Sequence, residues 1–392
     1  MISAVVDYMP LSFLDFISHF VFLFFYKKTE IINRKKNTLY GSSCRSLFHT
    51  LIEYVCTIKP GSSILVTPIH HTSFRNIIEL FFEPENITVL PMNELYNKII
   101  ITPDIASKKY DICVVSHLFG QDLDTSELDK LNYKEECVFI EDRVQGGEFS
   151  KKFSDPIFDM SLYSCGMDKK PCALGGGIVY SRNKGLDILM EMEKRIRTYR
   201  KETRGDRFLF LAKKIPTYII YNCKFVICLV LLFFRLTRID LYKFICQYRK
   251  NNPGFMHDGY NIEPHYSTLH SIQYSLNNTE YIETEQRYSG FVFYYLLEHY
   301  KIRDCIPWKK NSNLLSIYNT ILVKDRDTFI KHLNYNYIPV IDNPTYKLFK
   351  FDYENKQKDI DFNNSLVYLP TLYKMPFWEI KELVEIIKTH NK

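Results

Sequence analysis

The stretch Asp159–Tyr180, DMSLYSCGMDKKPCALGGGIVY, begins and ends in short apolar runs with strand character. Between them lie a small-polar turn, the adjacent lysines Lys169 and Lys170, and the glycines Gly175, Gly176 and Gly177. A lysine in a turn is ordinarily solvated. Two of them enclosed by β-forming segments and a glycine cluster raise the question of whether one is a reagent.

Outward from this stretch, strand and helix patterns alternate. SSILVTP, ENITVLPM, YDICVVSHLFGQ and CVFIEDRVQGG read as short apolar strands bounded by turn residues. SSCRSLFHTLIEYVCTI puts Leu47, Leu51, Tyr54 and Val55 on one helical face, SFRNIIELFF is a second helix, TSELDKLNY a short third, and NKGLDILMEMEKRIRTYRK a fourth. Such alternation predicts an α/β fold: a mainly parallel sheet covered by helices on both faces. Ligands of such sheets bind beyond the carboxyl ends of the strands. His117, Asp142 and the Ser164–Lys169 turn all fall just past a predicted strand end, so the fold can bring them together. Further on, residues 265–300 read as one or two long helices. The remainder from about Cys305 reads as a small α+β unit closed by PFWEIKELVEIIKTH. The expected organisation is an apolar segment over 1–39, a large α/β body over 40–300 and a small unit over 301–392, with the seam between 290 and 305.

The 392 residues are 46% apolar and 24% charged, enough for a sizeable core. The net charge of +6 is spread along the chain, too mild and scattered for a nucleic-acid protein. Ten cysteines without a CxxC pair argue against zinc and for a reducing, cytoplasmic setting. Two apolar stretches stand apart. Leu11 to Lys28 is interrupted by Asp15 and His19 and lacks a cleavage site. Tyr218 to Arg238 contains Asn222 and Lys224, leaving only Phe225 to Phe234 unbroken, where a spanning helix needs about twenty residues. Buried or interface-lying helices are expected instead, and the basic flanks suit peripheral contact with an anionic membrane surface.

Asp142 follows directly on VFI, at the mouth of the predicted sheet. Alone it reads as a turn or N-cap aspartate, but Gln145 and the pair Gly146–Gly147 add an amide and room for close backbone approach. Together, FIEDRVQGG and DMSLYSCGMDK…ALGGGIVY resemble the DegT/DnrJ/EryC1/StrS family of pyridoxal-phosphate-dependent sugar aminotransferases, of fold type I. That family shows an aspartate-x-x-glutamine, an aspartate ten residues before its lysine, a serine five before it, and a glycine-rich hairpin after it. Here these are Asp142 and Gln145, Asp159, Ser164, and Gly176–Gly177 around Lys169, which selects Lys169 over Lys170. Weaker echoes cover most of the chain: YGSSCRSLFHTLIEYVCTIKPGSSILVTP resembles the small-residue phosphate loop and its helix, VVSHLFGQDLD the histidine turn, and LVYLPTLYKMPFWEIKELVEII the closing helix.

The resemblance implies roles. Lys169 would hold pyridoxal 5'-phosphate as a Schiff base and later act as the base, chemistry that needs a neutral amine and hence partial burial. Asp142 would pair with the pyridine nitrogen and Gln145 with the ring hydroxyl region. Ser164 and the loop Ser42, Ser43 and Cys44 would bind the phosphate at a helix start, although GSSC is also an ordinary N-cap. His71 or Phe74 would stack on the ring, against the plain readings of loop histidine and core phenylalanine. His117 reads as structural. Asn261 would reach the site of a partner subunit in a homodimer with shared active sites. The implied activity moves an amino group from glutamate onto a nucleotide-linked keto sugar for polysaccharide or glycoconjugate biosynthesis. The alternatives are another reaction type on an amino-acid or lipid-linked substrate, or an inactive binding relative. The chain departs from the family at Gly175, where an acid is usual in the glycine turn, at Cys44, and at Arg143, which replaces a small residue where it could reshape the pocket. The apolar insert is a further departure.

Overall fold

The computed structural model describes residues 12–25, 36–120, 122–167, 169–239, 260–302, 319–336, 338, 346–369 and 375–390. The first eleven residues of the N-terminal segment and the 303–305 end of the expected seam lie outside them. In chain order the first elements are α1 (Phe13–Phe25), β1 (Thr38–Gly41), α2 (Cys44–Ile58), β2 (Ile64–Val66), β3 (His70–His71), α3 (Thr72–Phe81) and β4 (Ile87–Val89). Then come α4 (Pro103–Ser107), β5 (Ile112–Ser116), β6 (Val138–Asp142), β7 (Met160–Ser164), β8 (Gly177–Ser181) and α5 (Leu186–Ile196).

Seven of these strands form one sheet in the order β1-β8-β7-β6-β5-β2-β4. Only β8 runs against the rest, because β7 and β8 are the two arms of the glycine-rich turn. The predicted parallel sheet is therefore present, with one reversed strand and an edge strand, β1, that the sequence reading did not separate from the loop before α2.

Strand alternation sorts the side chains between two apolar layers. Ile112, Val114, Ile140, Met160 and Leu162 face α2 and join Leu47, Phe48, Leu51, Ile52 and Val55. Cys113, Val115 and Phe139 face the other way and pack with Leu128, Phe158 and Phe119. Each buried leucine- or phenylalanine-sized side chain contributes on the order of 1.5–3 kcal/mol, so the two layers hold the sheet from both sides. The helix α2 starts where Ser43 accepts the Ser46 N–H at 3.1 Å, an N-cap. Its Leu47–Leu51–Val55 stripe is the expected face, widened by Phe48 and Ile52.

The rest of the chain adds β9 (Arg200–Lys201), α6 (Arg204–Ala212), α7 (Ile215–Asn222), α8 (Lys224–Thr237) and β10 (Ile262–Glu263). Two helices follow, α9 (Tyr266–Leu276) and α10 (Thr279–His299), separated at Asn277–Asn278. The last elements are β11 (Asn319–Leu322), α11 (Arg326–Tyr335), β12 (Tyr346–Lys347), α12 (Lys356–Ser365), β13 (Leu366–Leu369) and α13 (Phe377–His390). β11 and β13 pair antiparallel, and a separate apolar cluster joins α11 and α13 to Val292, Phe293, Leu296 and Leu297 of α10. Among the described residues no helix is long and apolar enough to cross a membrane.

One close approach ties the opening stretch to α2. A Cβ on Gly177 would lie 2.4 Å from the Cys44 backbone nitrogen and 2.6 Å from its Cα. Backbone cannot yield as a side-chain tip can, so only glycine lets β8 pass over the helix start. Gly177→Ala is expected to cost about 1–3 kcal/mol, read as a lower urea midpoint, whereas Gly205→Ala, in the first turn of α6 with its nearest neighbour at 3.7 Å, gains up to about 1 kcal/mol of helix propensity.

Candidate functional site

β6 ends in two neighbouring acids, and pleating sends them to opposite faces. Asp142 lies opposite Ser116 in the β5–β6 register and opposite Leu162 in β6–β7, so it faces α2. Its Oδ1 accepts the Val144 N–H at 3.0 Å and its Oδ2 the Ser116 hydroxyl at 3.3 Å. Glu141 points to the other face, where His117 Nε2 lies 3.0 Å from its Oε2 and Ser154 also donates to it. The Leu123 N–H donates to His117 Nδ1 at 2.9 Å, so both imidazole nitrogens are used. His117 is structural, as its place at a strand end suggested.

Burial pushes the Asp142 carboxyl up to about 6, against Val144, Ser116 and the Lys169 charge, which all favour ionisation. The Lys169 charge also acts on the Cys44 thiol, which burial raises well above its usual range. Lys169, Asp142 and Cys44 therefore share one electrostatic neighbourhood, although 27 residues separate 142 from 169 and 98 separate 44 from 142. Ser164, the last residue of β7, lies opposite Gly177 on the same edge, and Ser43 bridges to Gly176. The first turn of α2, the end of β7 and the lysine turn thus meet at the carboxyl edge of the sheet. Ser42 is half-buried there, beside the capping Ser43.

Gln145 completes the cluster. Its backbone oxygen accepts the Gly120 N–H at 2.8 Å, and its side-chain oxygen lies 3.4 Å from the Phe119 nitrogen. Its Nε2 is buried with no hydrogen-bond partner among the described residues. A buried amide donor left open costs stability unless something else fills it.

The two lysines part company. Lys169 is half-buried at the turn. Lys170 is buried, donates to the Gly147 carbonyl at 3.0 Å and lies 3.8 Å from Glu283 on α10. Burial, only partly opposed by Glu283, lowers its amine to about 8.

The remaining residues singled out from the sequence take the following places. Arg143 does not reshape a pocket: its guanidinium is buried, bonded to Asp122 at 2.8 and 3.0 Å and to the Tyr163 hydroxyl at 2.9 Å. Asp122 also accepts the Gly147 N–H at 3.0 Å, so Arg143 braces the loop after Gln145. Phe74 belongs to the core, stacked on Phe48 at 4.1 Å. His71 caps α3 through its Nδ1, which accepts the Ser73 N–H at 3.2 Å, and its ring meets Tyr346 edge-on. Asp159 sits at the opposite end of β7, holding the Phe139 N–H at 2.9 Å and Lys184 at 3.4 Å. Asn261 is exposed, next to Tyr260, whose carbonyl accepts from Ser46 on α2. Sequence reasoning missed Ser116 and Glu283. Ser116 was detectable as the strand-end neighbour of His117, whereas nothing local marked Glu283, which lies in the middle of a long helix.

No family model matches the sequence, and no curated protein matches it. Comparison of folds is more informative. Helicobacter pylori PseC, an aminotransferase involved in the biosynthesis of pseudoaminic acid, superposes with a TM-score of 0.67 at 13% identity, covering 99% of both chains. The chain has the fold of an aminotransferase. Spr1654 of Streptococcus pneumoniae, designated a sugar aminotransferase, matches in its PLP-form with a TM-score of 0.66 at 12% identity, over 99% of this chain and 98% of that one. A DegT DnrJ EryC1 StrS aminotransferase from Brucella abortus matches at 0.58 and 11%, over 90% and 85%.

The raised Asp142 carboxyl makes stability depend on pH. A group at about 6 in the fold and 3.8 ordinarily gains a proton on folding between those values, so its ionisation subtracts from stability as pH rises through that window. Asp142→Asn is expected to stabilise cofactor-free protein by up to about 3 kcal/mol above pH 6, with the gain vanishing near pH 4. Thermal or urea unfolding of both proteins across that range reads it directly.

Proposed function

We propose that the chain is a pyridoxal-phosphate-dependent aminotransferase that moves an amino group from glutamate onto a nucleotide-linked keto sugar, in the making of a polysaccharide or other glycoconjugate. The observation that carries this is that Lys169 acts electrostatically on both Asp142 and Cys44, which lie at the carboxyl edge of a sheet whose fold matches sugar aminotransferases. The residues fit the cofactor. The open Nε2 of Gln145 is a donor for a ring hydroxyl. Asp142 is a carboxyl that an adjacent pyridinium would ionise. The capped start of α2 offers backbone N–H groups and a dipole to a phosphate, with Ser42, Ser43, Cys44 and Ser164 around it.

Bound there, pyridoxal phosphate would supply an electron sink for the bond-breaking step. Lys169 Nζ would hold it and, once released, take and return the proton at the amino-bearing carbon of the substrate. Asp142 would keep the ring nitrogen protonated, with Val144 N–H and the Ser116 hydroxyl orienting its oxygens. Lys170 and Arg143 would act through the loop that carries Gln145, by way of the Gly147 carbonyl and Asp122. His71, the last residue of β3 and the cap of α3, is the candidate for stacking on the ring. We further propose a homodimer in which Asn261 serves the partner's site. The organisation would be a segment over 1–39, a cofactor-binding body over 40–300 and a small unit over 301–392.

The lysine assignment separates cleanly. Purified protein should absorb in the visible as a lysine-bound cofactor, and Lys169→Ala should abolish that band while leaving the unfolding midpoint of the stripped protein within about 0.5 kcal/mol. Lys170→Met should do the reverse, keeping the band and losing about 2–4 kcal/mol by stranding Glu283. A colourless wild type that cannot be reconstituted defeats the proposal. Glutamate as donor predicts that adding it bleaches the band and yields 2-oxoglutarate in stoichiometric amount, and no bleaching would remove transamination from glutamate.

A further inference from the structure

The apolar insert is neither core nor a spanning helix. α7 and α8 would make one long helix but for Cys223, whose φ of −118° and ψ of 96° break them apart. The fourteen residues of α8 then reach only about 21 Å, short of the roughly 30 Å of a bilayer core. Phe225, Leu229, Leu232, Phe233 and Leu236 nevertheless form a helical stripe that stays exposed, Phe225 at 70% and Leu236 at 74%.

α1 repeats the pattern. Phe16, Phe22 and Leu23 are buried, while Phe13, Leu14, Ile17, Val21, Phe24 and Phe25 are exposed. A helix apolar on all sides belongs in an apolar surround. The two surfaces join: Phe16 stacks on Tyr218 at 4.3 Å, and a groove of about 510 Å3 between α1 and α7 is lined by Phe13, Ile17, Phe20, Ile215 and Ile219. Exposed apolar side chains thus crowd α1, α7 and α8 alike, and such clustering marks a contact surface.

Its charge says what covers it. From Phe208 to Ile239 the sequence carries Lys213, Lys214, Lys224, Arg235 and Arg238 and no acid at all. α1 adds one acid, Asp15, which accepts from Ser12 and Tyr274, so the net charge beside these exposed aliphatic and phenyl side chains is basic, the composition of a surface that lies in the headgroup region of an anionic bilayer. A self-complementary protein interface would need acids to meet those bases.

We propose that α1, α7 and α8 dock the protein in-plane on an anionic lipid bilayer. The dock is built onto the lysine turn. Phe16 of α1 and Leu211 of α6 share one buried cluster with Met167, Cys172 and Leu174, which flank Lys169 and Lys170, and Tyr218 packs against it. Membrane contact thus sits directly behind the candidate site, whatever reaction that site performs.

The experiment uses full-length protein and sedimentation with sucrose-loaded vesicles. Phosphatidylcholine vesicles containing phosphatidylglycerol should pull the protein down, and pure phosphatidylcholine vesicles should retain markedly less. Raising salt several-fold above about 100 mM should weaken but not abolish binding, since screening removes only the electrostatic part. The triple variant Phe225→Asp, Leu229→Asp, Phe233→Asp should lose at least about tenfold in partitioning, with an unchanged circular dichroism spectrum. The milder triple change of the same residues to Ser guards against misfolding and should also lose binding. The proposal is overturned if wild-type protein stays in the supernatant with anionic vesicles. It is equally overturned if the variants bind as before, or if their main effect is to turn a larger oligomer into a smaller one by light scattering, which would make a second copy the occupant.

Discussion

A carboxyl group without water around it is the constraint on which the candidate site depends. Asp142 is buried between the end of β5 and the end of β7, with two hydrogen-bond donors and one nearby ammonium to favour its charge, and these do not fully compensate for lost solvation. Something cationic placed next to it would relieve that deficit. A protonated ring nitrogen does so, and the open amide of Gln145 three residues on asks for an acceptor in the same space. The site is thus incomplete in two complementary ways, one electrostatic and one in hydrogen bonding.

The scaffold invests heavily in keeping that space defined. Arg143 and Asp122 clamp the backbone after Gln145 from below, and Lys170 holds the Gly147 carbonyl from the side while facing Glu283 of α10. Glycine at 147 is needed because a Cβ would lie 2.8 Å from Asp122. Arg143, a departure from the family resemblance, and Lys170 therefore both belong to the support of the site. Another departure, the apolar insert, packs behind the lysine turn and carries its unburied face outward. Chemistry at the sheet edge and contact with an apolar surround are built on the same short loop.

What the residues disclosed locally was substantial. Alternating short apolar runs and amphipathic stripes identified the strands and helices of the sheet, because the period of side-chain burial is a property of each element alone. The Asp142–Gln145 spacing, the serines before α2 and the glycine turn were visible for the same reason. The closing helix and the pair at 265–300 were also legible, down to the open choice between one helix and two. β1 was missed because a four-residue edge strand carries too little pattern to stand out from a loop.

Sequence by itself determined most of the secondary structure, the class of fold and the short list of polar residues at strand ends, since these follow from local periodicity and turn chemistry. Only tertiary structure decided which members of that list meet. It brought Lys169 within electrostatic reach of Asp142 and Cys44 and sent Lys170 to Glu283. It turned Arg143 inward, gave His71 to a helix cap and Phe74 to the core, and joined α1 to α7 across two hundred residues of chain. The physical reason is the same in each case: adjacent residues differ in fate by which side of a turn or strand they leave, and that side is chosen by packing partners distant in sequence.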